Sequence, residues 1–278
     1  MKLYKTKKGI VVEKLDHYYL IQDKSWDAYV NDDQLHAKLE KAIGELEADP
    51  EAKKLTQTEI QAPLQSQEIW ACGVTYYRSK VGRQEESKNT GGSEFYARVY
   101  EAERPEIFFK STPHRAVGPG GKVNIRKDST WDVPEPELTL AVTSSGKIIG
   151  YTVGNDMSSR SIEGENPLYL PQAKTYDGSA AIGPCIYVTE EPLPSDTQIQ
   201  MQILRQGHLV FEGAIAINQI KRRFEELVSY LYRETSFPHG CLVMTGTGIV
   251  PSSDFTLQQE DEIRITIQNI GTLVNTVK

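Results

Sequence analysis

The segment V-P-E-P-E-L-T-L-A-V, residues 133–142, carries the most information about the fold and the chemistry of this chain. Successive side chains of a strand point to opposite faces, so Glu135 and Glu137 share one face while Leu138, Leu140 and Val142 share the other. Flanking prolines at 134 and 136 remove backbone donors, and they predict a sheet edge or the mouth of a cavity. The segment therefore predicts a strand that presents two carboxylates on one side.

A second strand follows at 147–154, and the register between the two strands decides whether a third carboxylate joins the pair. If Ser145-Gly146 forms a two-residue turn, Glu135 lies opposite Asp156. A three-residue turn would instead place Asn155 opposite Glu135. The sequence leaves both registers open.

Three carboxylates at cross-strand spacing, about 4–5 Å, repel one another unless a cation lies among them or one is protonated. Oxygen ligands favour a hard ion, with Mg²⁺ first and Mn²⁺ or Ca²⁺ as alternatives. A solvated acidic edge explains the same residues without a metal. The residues alone leave these two interpretations evenly matched.

Composition excludes several classes of protein. The chain has 278 residues with a formal net charge of −7, which argues against binding to nucleic acid or an anionic membrane as its main role. No stretch approaches the about 20 apolar residues of a membrane span, and no leader is evident, so we expect a cytoplasmic protein. Cys72, Cys185 and Cys241 are far apart in apolar runs and predict neither disulfides nor a metal site.

Two regions are expected along the chain. Residues 1–64 predict a small α+β domain, with short strands to about residue 30, a helix at 33–48 and a linker from 49 to about 63. Residues 65–278 are mostly strand, with turns at glycine-rich sites. A helix at 218–234, with Asn218 as N-cap, carries an apolar stripe that we interpret as core.

Several motifs together resemble the fumarylacetoacetate hydrolase superfamily over residues 69–278. The motifs are E-P-E at 135–137, G-Y-T-V-G-N-D-M-S-S-R at 150–160, Lys174, A-I-G-P at 181–184, M-T-G-T-G at 244–248 and D-E-I-R-I-T-I-Q-N-I-G-T-L-V-N at 261–275. The resemblance implies a mainly β fold with α, a β-sandwich roll. It also implies that Glu135, Glu137 and Asp156 ligate a divalent metal and that Lys174 is the active-site lysine.

Hydrolases and decarboxylases of this superfamily usually carry G-x-N-Y followed by a His and a Glu that activate water. This chain has G-V-T-Y-Y-R-S-K-V-G-R at 73–83, with Thr75 for the Asn, Ser79 for the His and Gly82 for the Glu. Its five histidines lack partner motifs, so we interpret them as loop or surface residues. The water-activating pair is therefore absent from its usual place.

One branch of the superfamily shares further segments with this chain, the 2-keto-3-deoxy-D-arabinonate dehydratases. The shared segments are E-R-P-E-I-F-F-K at 103–110, W-D-V-P-E-P-E-L at 131–138 and E-G-E-N-P-L-Y-L-P-Q-A-K at 163–174. This resemblance implies a Mg²⁺-dependent lyase, a hydro-lyase of pentose catabolism that converts 2-keto-3-deoxy-D-arabinonate (also called xylonate) to 2,5-dioxopentanoate through a metal-stabilised enolate. Such an elimination needs no attacking water, which fits the missing pair.

Other functions remain open from the sequence. A C–C hydrolase or isomerase of the same superfamily would act on acylpyruvates or 2-hydroxyhepta-2,4-diene-1,7-dioate. A metal-stabilised binding or scaffold protein is the non-enzymatic alternative. The motifs favour the dehydratase, because carboxylates and a lysine in one pocket are typical of a reacting site.

Further residues are candidates for catalysis and binding. Lys174 could stabilise the enolate or shuttle a proton, and Glu106 could carry a proton or be a surface carboxylate. Lys110 could be a second cationic contact or a packed surface lysine.

Ser79, Arg83 and Thr247 could bind the substrate, or they could serve as loop caps, surface charge and turn. Residues 84–95 could form a lid or a solvated loop. Catalytic domains of the family commonly pair, so the resemblance also implies a homodimer or homotetramer.

Overall fold

The computed structural model of the chain describes residues 1–23, 25–86 and 98–278, without the side chains of 83–86. The first strands are β1 Lys2–Thr6, β2 Gly9–Lys14, β3 His17–Ile21, β4 Glu68–Gly73, β5 Glu106–Ser111, β6 Ala116–Val117, β7 Lys122–Val123 and β8 Asp132–Val133. The remaining strands are β9 Pro136–Val142, β10 Ile148–Asp156, β11 Ser158–Ser159, β12 Ala180–Tyr187, β13 Gln198–Arg205, β14 His208–Ala216, β15 Cys241–Met244, β16 Glu262–Ile267 and β17 Gly271–Val277. The helices are α1 Trp26–Val30, α2 Leu35–Gly44, α3 Pro50–Thr58, α4 Tyr77–Glu86, α5 Arg160–Glu165, α6 Leu170–Lys174 and α7 Phe224–Leu231.

Two sheets form the body of the molecule, which confirms the predicted mainly β fold. The larger sheet runs β3-β2-β1-β12-β10-β9-β15-β4-β5, with β6 beside β12, and the smaller runs β14-β13-β16-β17-β7. Strand alternation fills the space between them, since Leu138 and Leu140 of β9 share a buried cluster with Ile199, Ile203 and Ile265 of the smaller sheet. The apolar face predicted for residues 138–142 is therefore the sandwich core.

The opposite face of the larger sheet is covered by the N-terminal segment. Ala141 and Leu242 pack there in a second cluster with Trp26 and Leu39 from α1 and α2. Strand β1 pairs with β12, so the first strands extend the same sheet as the later ones. The boundary at residue 64 stays a prediction, and the two segments share backbone hydrogen bonds.

Two helix predictions need correction. The helix predicted at 33–48 is confirmed over Leu35–Gly44, but the predicted linker is wrong because α3 occupies Pro50–Thr58. The Asp49 side chain accepts a hydrogen bond from Glu51 N, and Pro50 fits the first turn of a helix. The polar stretch is therefore a helix with Asp49 as its N-cap, and this helix packs on the first strands.

The helix predicted at 218–234 is shorter, and its predicted N-cap is wrong. It spans Phe224–Leu231, while Asn218 lies in a 3₁₀ turn, Ile217–Gln219. Ile220 forms an isolated β-bridge with Tyr76, which holds this part of the apolar stripe in extended backbone. Tertiary pairing overrides the local helical periodicity at that point.

The strand with the two glutamates lies in the interior of the sheet. Strand β9 pairs with β10 on one side and with β15 on the other, so of the two predicted placements the sheet edge is wrong. The other placement, beside a cavity, fits Glu135, which lines a small cavity. Pro136 is tolerated because it is the first residue of the strand. Between the prolines, Glu135 N donates to Asp156 O over 3.2 Å and Glu135 O accepts from Asp156 N over 2.9 Å.

Glu135 lies opposite Asp156, but the turn length and the strand pairing that produce this register differ from those considered in the sequence. Thr143 N donates to Lys147 O over 2.9 Å, so three residues form the turn, and a two-residue turn is wrong. A register shift between Ile148 and Gly150 then adds one residue to β10. The bulge restores the alignment that the shorter turn would have given, and Glu135 faces Asp156.

No helix in the described ranges is both long and apolar enough to cross a membrane.

A glycine of β10 tests how tightly the hairpin is packed. A Cβ on Gly154 would lie 2.3 Å from Thr139 Oγ1 and 3.1 Å from Met244 Cε. Because this site is interior, Gly154→Ala should lower the free energy of unfolding by about 1–3 kcal/mol, measured by denaturant titration. Gly44→Ala is the control, since nothing lies within 4 Å of a Cβ there, and an equal loss in both variants would contradict the packing argument.

Candidate metal and active site

Three buried carboxylates lie together at the end of the β9–β10 hairpin. Glu135, Glu137 and Asp156 are 5%, 1% and 1% exposed. Each offers an oxygen, and these oxygens lie within 4.8 Å of one another. The interpretation of a solvated acidic edge is therefore wrong, because water does not screen these charges.

Burial makes this arrangement costly unless cations compensate it. The pKa of Glu137 is raised well above its usual range, first by burial and then by the charges of Asp156 and Glu135. Its Oε2 accepts a hydrogen bond from Gly246 N over 2.5 Å, which opposes that shift. A set of oxygen donors alone, held this close and out of water, fits a hard divalent cation such as Mg²⁺.

Lys174 is one of the compensating cations. It lies at the C-terminal end of α6 and is 0% exposed. Its Nζ is 2.8 Å from Glu135 Oε2 and 3.0 Å from Asp156 Oδ2, and it donates to Ser158 Oγ over 2.5 Å. The structure thus brings the lysine singled out from the sequence directly onto two of the three carboxylates.

Lys110 is a second cation, and the prediction of a packed surface lysine is wrong. Its side chain is 0% exposed and its Nζ is 2.6 Å from Asp156 Oδ1. It also donates to Met157 O over 2.9 Å and to Lys174 O. Burial lowers the pKa of Lys110 to about 8, since the loss of hydration outweighs the attraction of Asp156.

Arg160 is the third cation, and sequence reasoning did not assign it a role. Its Nη2 donates to Glu135 Oε1 over 3.0 Å, and the residue is 3% exposed. Its backbone N donates to Trp131 O over 2.8 Å. The arginine ends the N-D-M-S-S-R motif, so the signal was present in the sequence, but only the pairing of β11 with β8 shows where it points.

Ser79 and Thr247 also lie beside the carboxylate site. Both line a small cavity with Glu135 and Arg160. The Ser79 hydroxyl donates to Tyr76 O over 2.7 Å and accepts from Tyr76 N over 3.2 Å, so it also caps the start of α4. Thr247 Oγ1 accepts from Ile249 N over 3.2 Å, within its turn. Contact of either residue with substrate stays a prediction.

Glu106 lies on the wall that leads to the carboxylates. Alternation along β5 puts it on the same face as Phe108. The Lys174 Nζ is 5.8 Å from the centre of the Phe108 ring. A Cβ on Gly73 would lie 2.0 Å from Glu106 Oε2, so only a glycine admits this carboxylate, and Gly73 lines the cavity described above. Proton transfer by Glu106 stays a prediction.

The residues that replace the water-activating pair face the site. Ser79 lines the cavity, and a Cβ on Gly82 would lie 3.9 Å from Arg160 Nη1. Arg83 belongs to α4, but its side chain is outside the described part of the chain. The stretch predicted as a lid, 84–95, lies mostly outside it as well.

Histidines do not enter this site. His17, His114, His208 and His239 are exposed, and His36 is partly exposed beside Glu190 and Glu40. The interpretation of all five as loop or surface residues is confirmed. The three cysteines are buried and free, as their apolar surroundings predicted.

Fold and site together define a class of protein. Residues 75–278 match the family described as fumarylacetoacetate (FAA) hydrolase C-terminal, and the chain belongs to this family. The resemblance stated from the sequence is confirmed.

Particular relatives carry dehydratase names. A probable 2-keto-3-deoxyxylonate dehydratase of Haloferax volcanii is 50% identical over 216 residues, which are 77% of this chain and 73% of that protein. A 2-dehydro-3-deoxy-D-arabinonate dehydratase of Saccharolobus solfataricus is 44% identical over 227 residues, 81% of this chain and 76% of that protein. A solved 2-keto-3-deoxy-D-arabinonate dehydratase, complexed with magnesium and 2,5-dioxopentanoate, is 35% identical with a TM-score of 0.83 over 100% of this chain and 99% of the other.

Glu137 offers the cleanest test of the metal site. Glu135 and Asp156 neutralise buried cations, so removal of either charge also destabilises the protein, whereas Glu137 is hydrogen-bonded by a backbone amide. Glu137→Gln should weaken Mg²⁺ binding by at least about 10-fold, because a neutral amide is a poorer ligand for a hard cation. Calorimetric titration measures the affinity and circular dichroism checks the fold. The exposed Glu191→Gln should bind as the wild type does, and unchanged binding in Glu137→Gln would remove that residue from the ligand set.

Proposed function

We propose that this chain is a Mg²⁺-dependent dehydratase of a 2-keto-3-deoxy sugar acid and converts 2-keto-3-deoxy-D-arabinonate, or xylonate, to 2,5-dioxopentanoate. One observation carries the proposal: three buried carboxylates are surrounded by cations while a hydroxyl and a glycine stand where hydrolases activate water. An elimination needs the first feature and does not need a water-activating pair. The names of the relatives support the same reaction.

Glu135, Glu137 and Asp156 would hold the metal. When bound, Mg²⁺ supplies electrophilic polarisation of the C2 carbonyl and so acidifies the C3 protons of the 2-keto acid. The donor set of oxygens, buried within 4.8 Å of one another, suits that ion.

Lys174 and Glu106 then act on the substrate. Lys174 places an ammonium beside the carboxylates, where it offsets negative charge that develops on the C2 oxygen. Glu106 accepts a C3 proton and delivers a proton to the C4 hydroxyl. The C3–H and C4–O bonds break, water leaves, and a C3–C4 double bond forms. Transfer of a proton from C5 to C3 gives the C4–C5 enol, and loss of its hydroxyl proton with protonation of C4 then gives the C5 aldehyde.

Ser79, Arg83 and Thr247 bind the polar groups of the substrate. Ser79 and Thr247 line the cavity beside Glu135, and their hydroxyls suit hydrogen bonds to the hydroxyls of a sugar acid. Arg83 follows on the same helix as Ser79, and its guanidinium suits a carboxylate. These three residues therefore set orientation, while Lys174 and Glu106 carry charge and protons.

We further propose a cytoplasmic homodimer or homotetramer. Three buried free cysteines suit a reducing compartment, and the formal charge of −7 offers no attraction to nucleic acid or anionic lipid. Pairing of catalytic domains in the family supports the oligomer. Light scattering at micromolar concentration should give a multiple of 31.2 kDa, and a monomer mass would reject the assembly.

Product analysis tests the reaction itself. The purified protein is incubated with Mg²⁺ and 2-keto-3-deoxy-D-arabinonate, and separately with an acylpyruvate, and products are followed by NMR. The expected result is 2,5-dioxopentanoate from the sugar acid, abolished by EDTA and restored by Mg²⁺. Pyruvate from the acylpyruvate with no dehydration would overturn the proposal in favour of a C–C hydrolase, and full dehydration in EDTA would overturn the role of the metal.

Proton abstraction can be separated from loss of the hydroxyl. In D₂O, 2-oxobutyrate has C3 protons but no leaving group, so its deuterium uptake reports abstraction alone. Glu106→Gln should abolish both deuterium uptake and dehydration if Glu106 carries the proton. Uptake at the wild-type rate with lost dehydration would instead limit Glu106 to protonation of the hydroxyl.

Lys174 and Ser79 should differ sharply in their effect on turnover. Lys174→Met removes the charge beside Glu135 and Asp156 and should abolish dehydration. Ser79→Ala should lower kcat/KM by roughly 5-fold to 30-fold, because it loses about 1–2 kcal/mol of hydrogen bonding. Steady-state kinetics decide between them. An inactive Ser79→Ala beside an active Lys174→Met would indicate covalent or hydrolytic chemistry through Ser79.

A further inference from the structure

Thr75 occupies the position at which the hydrolases carry Asn, and the proposed reaction gives it no role. The residue is 1% exposed, in the connection between β4 and α4. Its Oγ1 donates to Thr245 O over 2.7 Å, and its own carbonyl accepts from Lys221 N over 2.9 Å. Side chain and backbone are thus both fixed, and the hydroxyl reaches a segment 170 residues away.

The segment that Thr75 holds touches the metal site. Gly246 follows Thr245 with a φ of +94°, a conformation that favours glycine, and its N–H donates to Glu137 Oε2 over 2.5 Å. A Cβ on Gly246 would lie 2.0 Å from Thr75 Oγ1 and 2.9 Å from Cys72 O. The turn therefore packs directly on Thr75, whose hydroxyl bonds the carbonyl of the same peptide unit as the Gly246 N–H.

Backbone strain beside Thr75 indicates that its orientation is enforced. Val74 has a φ of +54°, which is costly for a β-branched residue and persists only when the surroundings determine it. On the other side, Tyr76 is held in a β-bridge with Ile220. The two neighbours direct the Thr75 side chain toward the Thr245–Gly246 turn.

We propose that Thr75 is a positioning residue for the metal ligand Glu137. Its hydroxyl fixes the carbonyl of Thr245, the fixed turn aims the Gly246 N–H, and that N–H holds the Glu137 carboxylate in the orientation that binds Mg²⁺. Outer contacts of this kind commonly decide the affinity of a metal site. The inference deepens the proposed function and rests on its metal, although it concerns binding of Mg²⁺ before any turnover.

The experiment compares two variants of Thr75 with a matched control. Thr75→Val removes the hydroxyl at nearly constant shape, and Thr75→Ser keeps it. Thr197→Val removes an equivalent hydrogen bond elsewhere, since Thr197 is also 1% exposed and its Oγ1 donates to Pro194 O over 2.7 Å. Mg²⁺ affinity is measured by calorimetry without substrate, and the unfolding midpoint is measured for each variant.

We expect Thr75→Val to raise the Kd for Mg²⁺ by about 10-fold or more, Thr75→Ser to stay within about 3-fold, and Thr197→Val to bind as the wild type does despite a similar loss of stability. Wild-type affinity in Thr75→Val, or equal weakening in Thr197→Val, would overturn the inference. Should Thr75→Val not fold, Thr75→Ala, which only deletes atoms, gives the same comparison. If Thr75→Val loses Mg²⁺ affinity while the wild type dehydrates no 2-keto acid, the proposed function fails and the positioning role stands.

Discussion

The burial of three carboxylates within 4.8 Å of one another is the constraint on which the rest of the site depends. Three buried cations, Lys110, Lys174 and Arg160, each contact Glu135, Asp156 or both, while Glu137 accepts a hydrogen bond from Gly246 N instead. Removal of one partner would leave an uncompensated buried charge, which is typically costly by about 3–5 kcal/mol. These buried ion pairs therefore link β5, the β9–β10 hairpin, α5 and α6.

Local sequence patterns predicted the part of this arrangement that lies within the β9–β10 hairpin. Alternation along 135–142 correctly gave both the carboxylate face and the core face, because the period of a strand is fixed by its geometry. Of the two registers that the sequence left open, the one that places Glu135 opposite Asp156 is present, although the turn has three residues, since a bulge at 148–150 offsets the extra turn residue. A bulge depends on packing across the sheet, and no residue pattern within the hairpin predicts it.

The sequence did not predict the contacts of the site between residues that are far apart in the chain. Lys110 reaches Asp156 across 46 positions, and its run of apolar neighbours is equally typical of a lysine at the end of an exposed strand. Arg160 belonged to a quoted motif, yet its partner Glu135 follows only from the pairing of β8 with β11. The N-cap at Asn218 failed for the same reason, because tertiary pairing outweighed the local pattern. The linker failed differently, since the local helix signal of Asp49 as N-cap and Pro50 in the first turn was not recognised.

The residues at positions 79 and 82 bear on why this fold can support an elimination. Hydrolysis needs a base that activates water. Position 79 lines a cavity with Glu135 and Arg160, and a Cβ at position 82 would lie 3.9 Å from Arg160 Nη1. Here a hydroxyl used to cap α4 and a glycine stand in those places. In the proposed elimination, the groups assigned to carry charge and protons, Lys174 and Glu106, lie instead on α6 and β5. Under the proposed function, a hydroxyl and a glycine at these two positions favour elimination over hydrolysis, because neither can act as the base that activates water.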